Sequence, residues 1–421
     1  MSDTYHTTEP LIRPFKAYRP SSSLANEIVA VPYDVITRNE ARDIKDTSPL
    51  SFVNISRADA NFSDETDQYD EIVYQSAANS LNEFIRKGYL LSDINESFYV
   101  YRISNSTHEQ TGLAFSASVE AYTQNRIKKH ELTRPEKELD RVEQIKATNA
   151  ITSPVMLVHR NDHKLDEMLR NFTLAPPTTR AQISDWQHEI WQIADPEDIQ
   201  NISVRFNKMR SLYIADGHHR SEAACKVAEH RKSTNSDSPG DSGFLAVSFP
   251  QNSLVVLDYN RLLRSKKPLS EHMLREYLSQ YFEIHKIDTP FSPKEQRTFG
   301  MYLKSGWYRL CLRTIEQSGI IENLDVTLLQ NLVLEPFFDI KDPRTDDNIS
   351  FVGGTKGTAG ISNAIDRGEA DVGFTLAPTQ LEDLIAIADQ NLIMPPKSTW
   401  FEPKLADGLL CMLLDEASAQ K

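Results

Sequence analysis

"IADGHHRSEAA", residues 214–224, sets five polar or special residues directly behind an apolar run and ahead of an amphipathic one. Leu212, Tyr213 and Ile214 read as a short buried strand, and Ala224, Val227 and Ala228 share one face of a helix over residues 221–231. The spacing predicts strand, tight turn, helix. Gly217 suits a backbone conformation or a close approach that a Cβ would forbid, and the first amides of a helix lack intrahelical partners. Those amides favour an anion. With Arg220 as a forked donor and His218 and His219 beside it, the turn reads as a phosphate cradle that titrates near neutrality. The plainer alternative makes Asp216 an N-cap, the histidines surface residues, and Arg220 the partner of a helix carboxylate.

Outward from that turn, the 421 residues exceed one ordinary core, so two or three domains are expected. Net charge is −14, from 46 basic against 60 acidic residues, which disfavours general attraction to nucleic acid phosphates. No run approaches the roughly 18 apolar residues that cross a bilayer, and the start "MSDTYHTTEP" has no apolar secretion signal. A cytoplasmic protein with no membrane partner is expected. Cys225, Cys311 and Cys411 show no metal-ligand spacing and read as reduced core residues.

Strand patterns alternate with helix patterns along the chain. A helix is expected from about Tyr69 to Lys87, then strands "SFYVYRI" (97–103) and "GLAFSASVEAY" (112–122) paired as a hairpin or meander. Leu139, Val142 and Ile145 mark another helix, and "SPVMLVH" (153–159) a buried strand. Residues 159–211 read as an insertion containing a tryptophan-bearing helix, and "RKSTNSDSPGDSG" (231–243) as a flexible loop between the motif helix and strand "FLAVSFP" (244–250). From about residue 266 the pattern restarts, with a boxed helix start at Thr379 to Glu382. The expected fold is α+β, or mixed α/β, with a catalytic region over 1–264 and a second α+β domain over 265–421.

Phosphoryl transfer to an alcohol needs a carboxylate near the hydroxyl, cations and amides around the phosphates, and usually Mg²⁺. Glu131, the basic run "RIKKHELTRPEK" (126–137) and residues 216–220 offer all three, with Arg134, Lys137 and Arg141 near Glu131. Glu138 and Asp140 would equally pair with those cations on a solvated face. "GGTKGT" (353–358) is not a P-loop, because Lys356 precedes the glycine that should precede it. It remains a turn suited to close backbone approach. Lys397, Ser398 and Thr399, between prolines, form a polar group that would serve as a lid over the site together with Lys356. Tyr33 and Asp34 face substrate or end a strand.

The order His130-Glu131, helix, strand, insertion, then strand-DGHHR-helix resembles the ParB and sulfiredoxin-like superfamily, and most closely its free serine kinases. The resemblance implies a nucleotide-binding core in which Glu131 of the His130-Glu131 element activates a serine hydroxyl, while Asp216, Gly217, His218, His219 and Arg220 line the phosphates. It implies ATP or ADP as donor, Mg²⁺, and L-serine or a similar small alcohol as acceptor. The whole chain resembles a wider family, the domain of unknown function 1015 proteins. "VPYDVI", "KKHELTRPEKELDR", "ATNAITSPV", "DGHHRSEAA", "LDYNRLL", "DPRTDDNISFVGG" and "MPPKSTWFEPKL" carry that resemblance. Two other functions fit: a ParB-like nucleotide-binding regulator, and a phosphatase using His218 or His219 as nucleophile. No helix-turn-helix is recognisable, and a homo-oligomer is compatible with the sequence.

Overall fold

A computed structural model describes residues 9–234, 239–314 and 319–415. It divides into two compact units. The first comprises residues 1–129, 133–254 and 403–421, the second residues 130–132 and 255–402. The units therefore do not follow a single cut near Arg264. The chain leaves the first at Leu254 and comes back to it at Pro403. Architecture in both is mixed α/β.

Among the described residues, the first unit is built on a nine-stranded mixed sheet. Its order is Ile127–Lys128, Leu212–Asp216, Val155–His159, Gly243–Pro250, Glu109–Ser118, Phe98–Ser104, Trp186–Ile193 and Thr179–Ile183, with Ile12–Arg13 also on Glu109–Ser118. Leu212–Asp216 runs parallel to Ile127–Lys128 and antiparallel to Val155–His159. All eight residues of Gly243–Pro250 are buried, as expected of a central strand covered on both faces. Phe98, Tyr99, Tyr101, Phe115, Phe206 and Phe244 fill the core around it.

Several sequence expectations change here. The tryptophan-bearing helix is a strand, Trp186–Ile193, paired on one side with Phe98–Ser104 and on the other with Thr179–Ile183. Its apolar residues 186, 190, 191 and 193 mimic helical spacing because both faces of the strand are covered, which erases the alternation. Residues 159–211 thus extend the sheet, and helices His163–Phe172 and Pro196–Asn207 flank the hairpin. The end of "GLAFSASVEAY" turns into the short helix Val119–Thr123, capped by Ser118 Oγ. Helix Pro135–Thr148 buries Val142 and Ile145 but leaves Leu139 exposed. Of the loop over 231–243, residues 235–238 lie outside the described residues.

The second unit holds a six-stranded antiparallel sheet, ordered Phe282–Ile287, Gly306–Leu312, Thr298–Leu303, Val372–Leu376, Tyr259–Leu263 and Ile349–Gly353. Its entry and exit segments pair as a two-strand ladder, Val255–Leu257 with Trp400–Glu402. Helix Leu381–Asp389 has no side-chain cap, so the expected box fails: Thr379 Oγ1 instead donates to Ser398 O at 2.7 Å. Met394 N donates to His130 O at 2.7 Å, which ties residues 130–132 into this unit.

Candidate functional site

Strand Leu212–Asp216 buries four residues before its polar end. Its register against Val155–His159 shifts between Ile214 and Asp216, an irregularity that re-aims the last side chain of the strand. Gly217 follows with φ 99° and ψ 30°. The backbone angle there favours glycine, and a Cβ would stand 3.1 Å from Arg220 Nε and 3.2 Å from its Cζ, so any side chain would press Arg220 aside by a few tenths of an ångström. Helix His218–Ser233 starts at once with no side-chain cap, and Ser221 N opens its ladder with a 2.9 Å bond to Gly217 O. His218, His219 and Arg220 are thus the first helical turn, earlier than the sequence spacing placed it. The amides that a helix start leaves over are those beside Asp216.

Arg220 is buried. Its Nη1 donates to Pro154 O, and its Nη2 donates to Asp216 Oδ2 at 2.8 Å. Asp34 Oδ2 lies 3.9 Å away. Burial by itself would lower the guanidinium pKa, but the carboxylates of Asp216 and Asp34 outweigh it and hold the charge more firmly than usual. For Asp216 burial favours the neutral form, yet Lys404, Arg220 and His218 together pull its pKa well below the carboxylate range. Lys404 Nζ stands 3.4 Å from Asp216 Oδ1, with the side chain 15% exposed.

The turn Tyr33–Val35 completes this cluster. Tyr33 N donates to Asp407 Oδ2 at 3.1 Å, and Arg57 Nη1 donates to Tyr33 O at 3.2 Å. The Arg141 guanidinium lies 4.0 Å over the Tyr33 ring while pairing with Asp140 at 2.7 Å. Burial raises the Tyr33 hydroxyl pKa despite Arg141. Asp407 is fully buried, and burial pushes its carboxyl up to about 7; Ser153 and Arg220 pull it down, and the like charge of Asp34 raises it further. Asp34 is left exposed.

Of the residues expected from sequence, Tyr33, Asp34, Arg141, Asp216, Gly217 and Arg220 therefore come together in the first unit. Lys137 does something else: its Nζ donates to Tyr69 OH at 2.7 Å. His219 Nε2 accepts from Arg134 N at 2.9 Å, which uses the lone pair a nucleophile would need. His130 is buried and Glu131 half-buried, in the short segment counted with the second unit. Also in that unit, Lys356 ends the 3-10 turn Gly354–Lys356 and is exposed. Lys397, at φ 58°, places Nζ 5.5 Å from the Tyr259 ring. Ser398 Oγ donates to Pro395 O at 2.6 Å, and Thr399 is half-buried.

Sequence reasoning missed Lys404 and Asp407. The signal was a second Asp-Gly pair, Asp407-Gly408, whose glycine at φ 79° packs its Cα against Phe52 much as Gly217 packs against Arg220. A Mg²⁺ arriving with phosphates needs only one or two protein carboxylates. Asp34 suits that need, because its carboxylate is exposed and is not gripped by a cation at hydrogen-bond distance as Asp216 is.

A family model described as a protein of unknown function, DUF1015, matches residues 12–327. The chain belongs to that family. No curated protein matches this DUF1015 chain. Among solved structures, a conserved hypothetical protein from Pyrococcus furiosus is 12% identical, with 72% of this chain and 95% of that chain covered and a TM-score of 0.37. A free serine kinase in complex with AMP is 13% identical, covering 71% and 92% at a TM-score of 0.36. SbnI with a C-terminal truncation, from Staphylococcus aureus, is 12% identical, covering 73% and 92% at 0.39.

Proposed function

We propose that this DUF1015 protein is a small-molecule kinase that moves the terminal phosphate of ATP or ADP to the hydroxyl of free L-serine or a similar small alcohol. The observation that carries the reading is the Gly217 turn. A left-handed glycine opens a 16-residue helix directly beside a buried, firmly charged Arg220, which is the donor arrangement a phosphate chain needs. Arg220, the first helical amides and His218 hold the phosphates. Asp34 is the carboxylate that would hold Mg²⁺, which when bound neutralises charge on the transferring phosphate. Asp216 keeps Arg220 in place and ionised.

In the transfer, the acceptor oxygen forms a bond to the terminal phosphorus while the bond from phosphorus to the bridging oxygen breaks. The nucleotide leaves one phosphate shorter. The hydroxyl proton passes to Glu131, the base that the resemblance to free serine kinases assigns. The bond accepted by His219 weighs against the phosphohistidine route through its Nε2.

The test is incubation of the protein with ATP or ADP, Mg²⁺ and a panel of amino acids and hydroxy acids, with products read by mass. Phosphoserine formed only in the presence of protein and nucleotide is the expected result. Nucleotide binding without any phosphorylated product would instead establish a ParB-like regulator.

A further inference from the structure

We propose that Asp407 is a positioning residue for Asp34: it caps the Tyr33–Val35 turn from a distant part of the chain and so sets the carboxylate that would hold Mg²⁺ against Arg220. The inference rests on the nucleotide reading above and deepens it, because that reading uses Asp34 without saying what fixes it.

The turn does not hold itself. Tyr33–Val35 is a three-residue 3-10 turn in which Asp34 and Val35 are exposed and Tyr33 is only partly buried. Its one closing bond runs from Val35 N to Pro32 O at 3.2 Å. Such a turn leaves its leading amides without partners of their own, and the side chain just ahead of it is the usual source of an acceptor. Here that residue is Pro32, whose ring has none to give, and it makes no side-chain cap. Asp407 Oδ2 takes Tyr33 N instead, at 3.1 Å, from 374 positions further along the chain. The far end is clamped by Arg57, whose Nη1 donates to Tyr33 O at 3.2 Å and to Ile36 O at 2.6 Å while Asp59 holds its Nη2 at 2.8 Å.

Asp407 is itself fixed by parts of the fold that do not include the turn. It is fully buried, and its backbone exchanges bonds of 3.1 and 2.9 Å with Ala30. Gly408 follows at φ 79° in close approach to the Phe52 ring, and Phe52 N donates to Ile28 O at 2.7 Å. The acceptor is therefore in place before any ligand arrives. Asp34 Oδ2 stands 3.9 Å from Arg220 Nη2, so the seating of this turn sets the spacing between the metal carboxylate and the phosphate cation. Groups that orient a metal ligand from behind are worth about 10–100-fold in metal affinity when removed.

Calorimetry of ADP on the full chain, once with Mg²⁺ and once with EDTA in its place, reads the gain in affinity that the metal brings. Wild type is expected to gain about tenfold or more, and Asp34→Asn to lose that gain. Asp407→Ala should lose most of it and Asp407→Asn should keep most of it, because both remove the same charge and only asparagine keeps an oxygen for Tyr33 N. Asp407→Ser, whose hydroxyl is one bond too short to cap the turn, replaces the alanine variant if that one does not fold. Asp325→Ala is the control: it removes a buried aspartate of the second unit that accepts a backbone amide in the same manner, Arg297 N at 2.7 Å, and should lower the melting temperature with the gain intact. A purely structural Asp407 would behave as that control does. A folded Asp407→Ala or Asp407→Ser protein that keeps the gain, or an Asp407→Asn protein that loses it as fully as alanine, overturns the role of Asp407 and leaves the nucleotide reading standing. Wild type that binds ADP equally with and without Mg²⁺ overturns the role of Asp34 and this inference with it. Wild type that binds ADP in neither condition overturns the nucleotide reading as well.

Discussion

Two arginines are buried to nearly the same degree, Arg220 at 6% exposure in the first unit and Arg261 at 4% in the second, and their surroundings are opposite. Arg220 faces the carboxylates of Asp216 and Asp34. Arg261 has only carbonyls and a ring: Nη1 donates to Tyr259 O, Nη2 donates to Lys397 O at 3.0 Å, and Phe351 lies 5.4 Å away. Among the described residues no carboxylate lies within ion-pair distance of Arg261, and burial pulls its pKa down to about 10. A guanidinium bound to backbone carbonyls pins a loop, here the one that carries Lys397 at positive φ. A guanidinium held among carboxylates stays firmly ionised, which the proposed phosphate role of Arg220 requires. Two arginines buried alike thus differ in how firmly they hold their charge.

The strongest effect expected is chemical. Glu131→Gln should cut turnover by roughly 10² to 10⁴ while leaving nucleotide affinity near wild type, because the side chain keeps its size and loses only its capacity to accept a proton. Steady-state kinetics and calorimetry on the same preparation check both halves. The comparison itself breaks or stands on Arg220→Met and Arg261→Met. The first should weaken nucleotide binding about a hundredfold, and the second should lower the melting temperature with affinity unchanged. Equal losses of affinity in the two variants would abolish the distinction drawn between them.

Smaller effects come from two buried aspartates, one in each unit. The Asp407 carboxyl rises from 3.8 to about 7 on folding, so the folded state binds its proton more tightly than the unfolded chain does. Its contribution is fully present below about pH 4 and is lost as pH rises through 7, on the order of a few kcal/mol. Asp407→Asn keeps an acceptor for Tyr33 N and should remove that slope from denaturation midpoints measured between pH 4 and 8. In the second unit, Asp325 accepts from Arg297 N at 2.7 Å, and burial raises it from 3.8 to about 6. The sign is the same, the window is narrower, and Asp325→Asn should flatten only the part of the curve between about pH 4 and 6.

Much of this was legible in the chain. The strand, glycine turn and helix of residues 212–233 could be read because they are contiguous and each obeys a local rule. Tyr33 and Asp34 were visible as a polar pair after a buried run. Lys404 and Asp407 were not, since only pairing across more than 180 residues brings them to Asp216 and Tyr33, and no local periodicity encodes that. Trp186–Ile193 was misread for a related reason: a strand covered on both faces loses the alternation that would identify it. Thr379 looked like a cap because its hydroxyl and Glu382 have the right spacing, yet the hydroxyl is taken by Ser398 O, a partner nineteen positions away.

The split of the first unit around residues 255–402 sets an order of events during synthesis. When Leu254 leaves the ribosome, the Gly217 turn can already form, but the lysine and aspartate that complete its surroundings have not been made. At about 5–20 residues per second, roughly 7–30 s pass while the intervening unit is translated. That unit then closes its own entry and exit in the ladder of Val255–Leu257 with Trp400–Glu402, which returns the growing chain beside the point where it left. Residues 403–415 join a unit whose other parts were made long before them. A chain ended before residue 403 would carry the Gly217 turn without Lys404 beside Asp216 or Asp407 beside Tyr33.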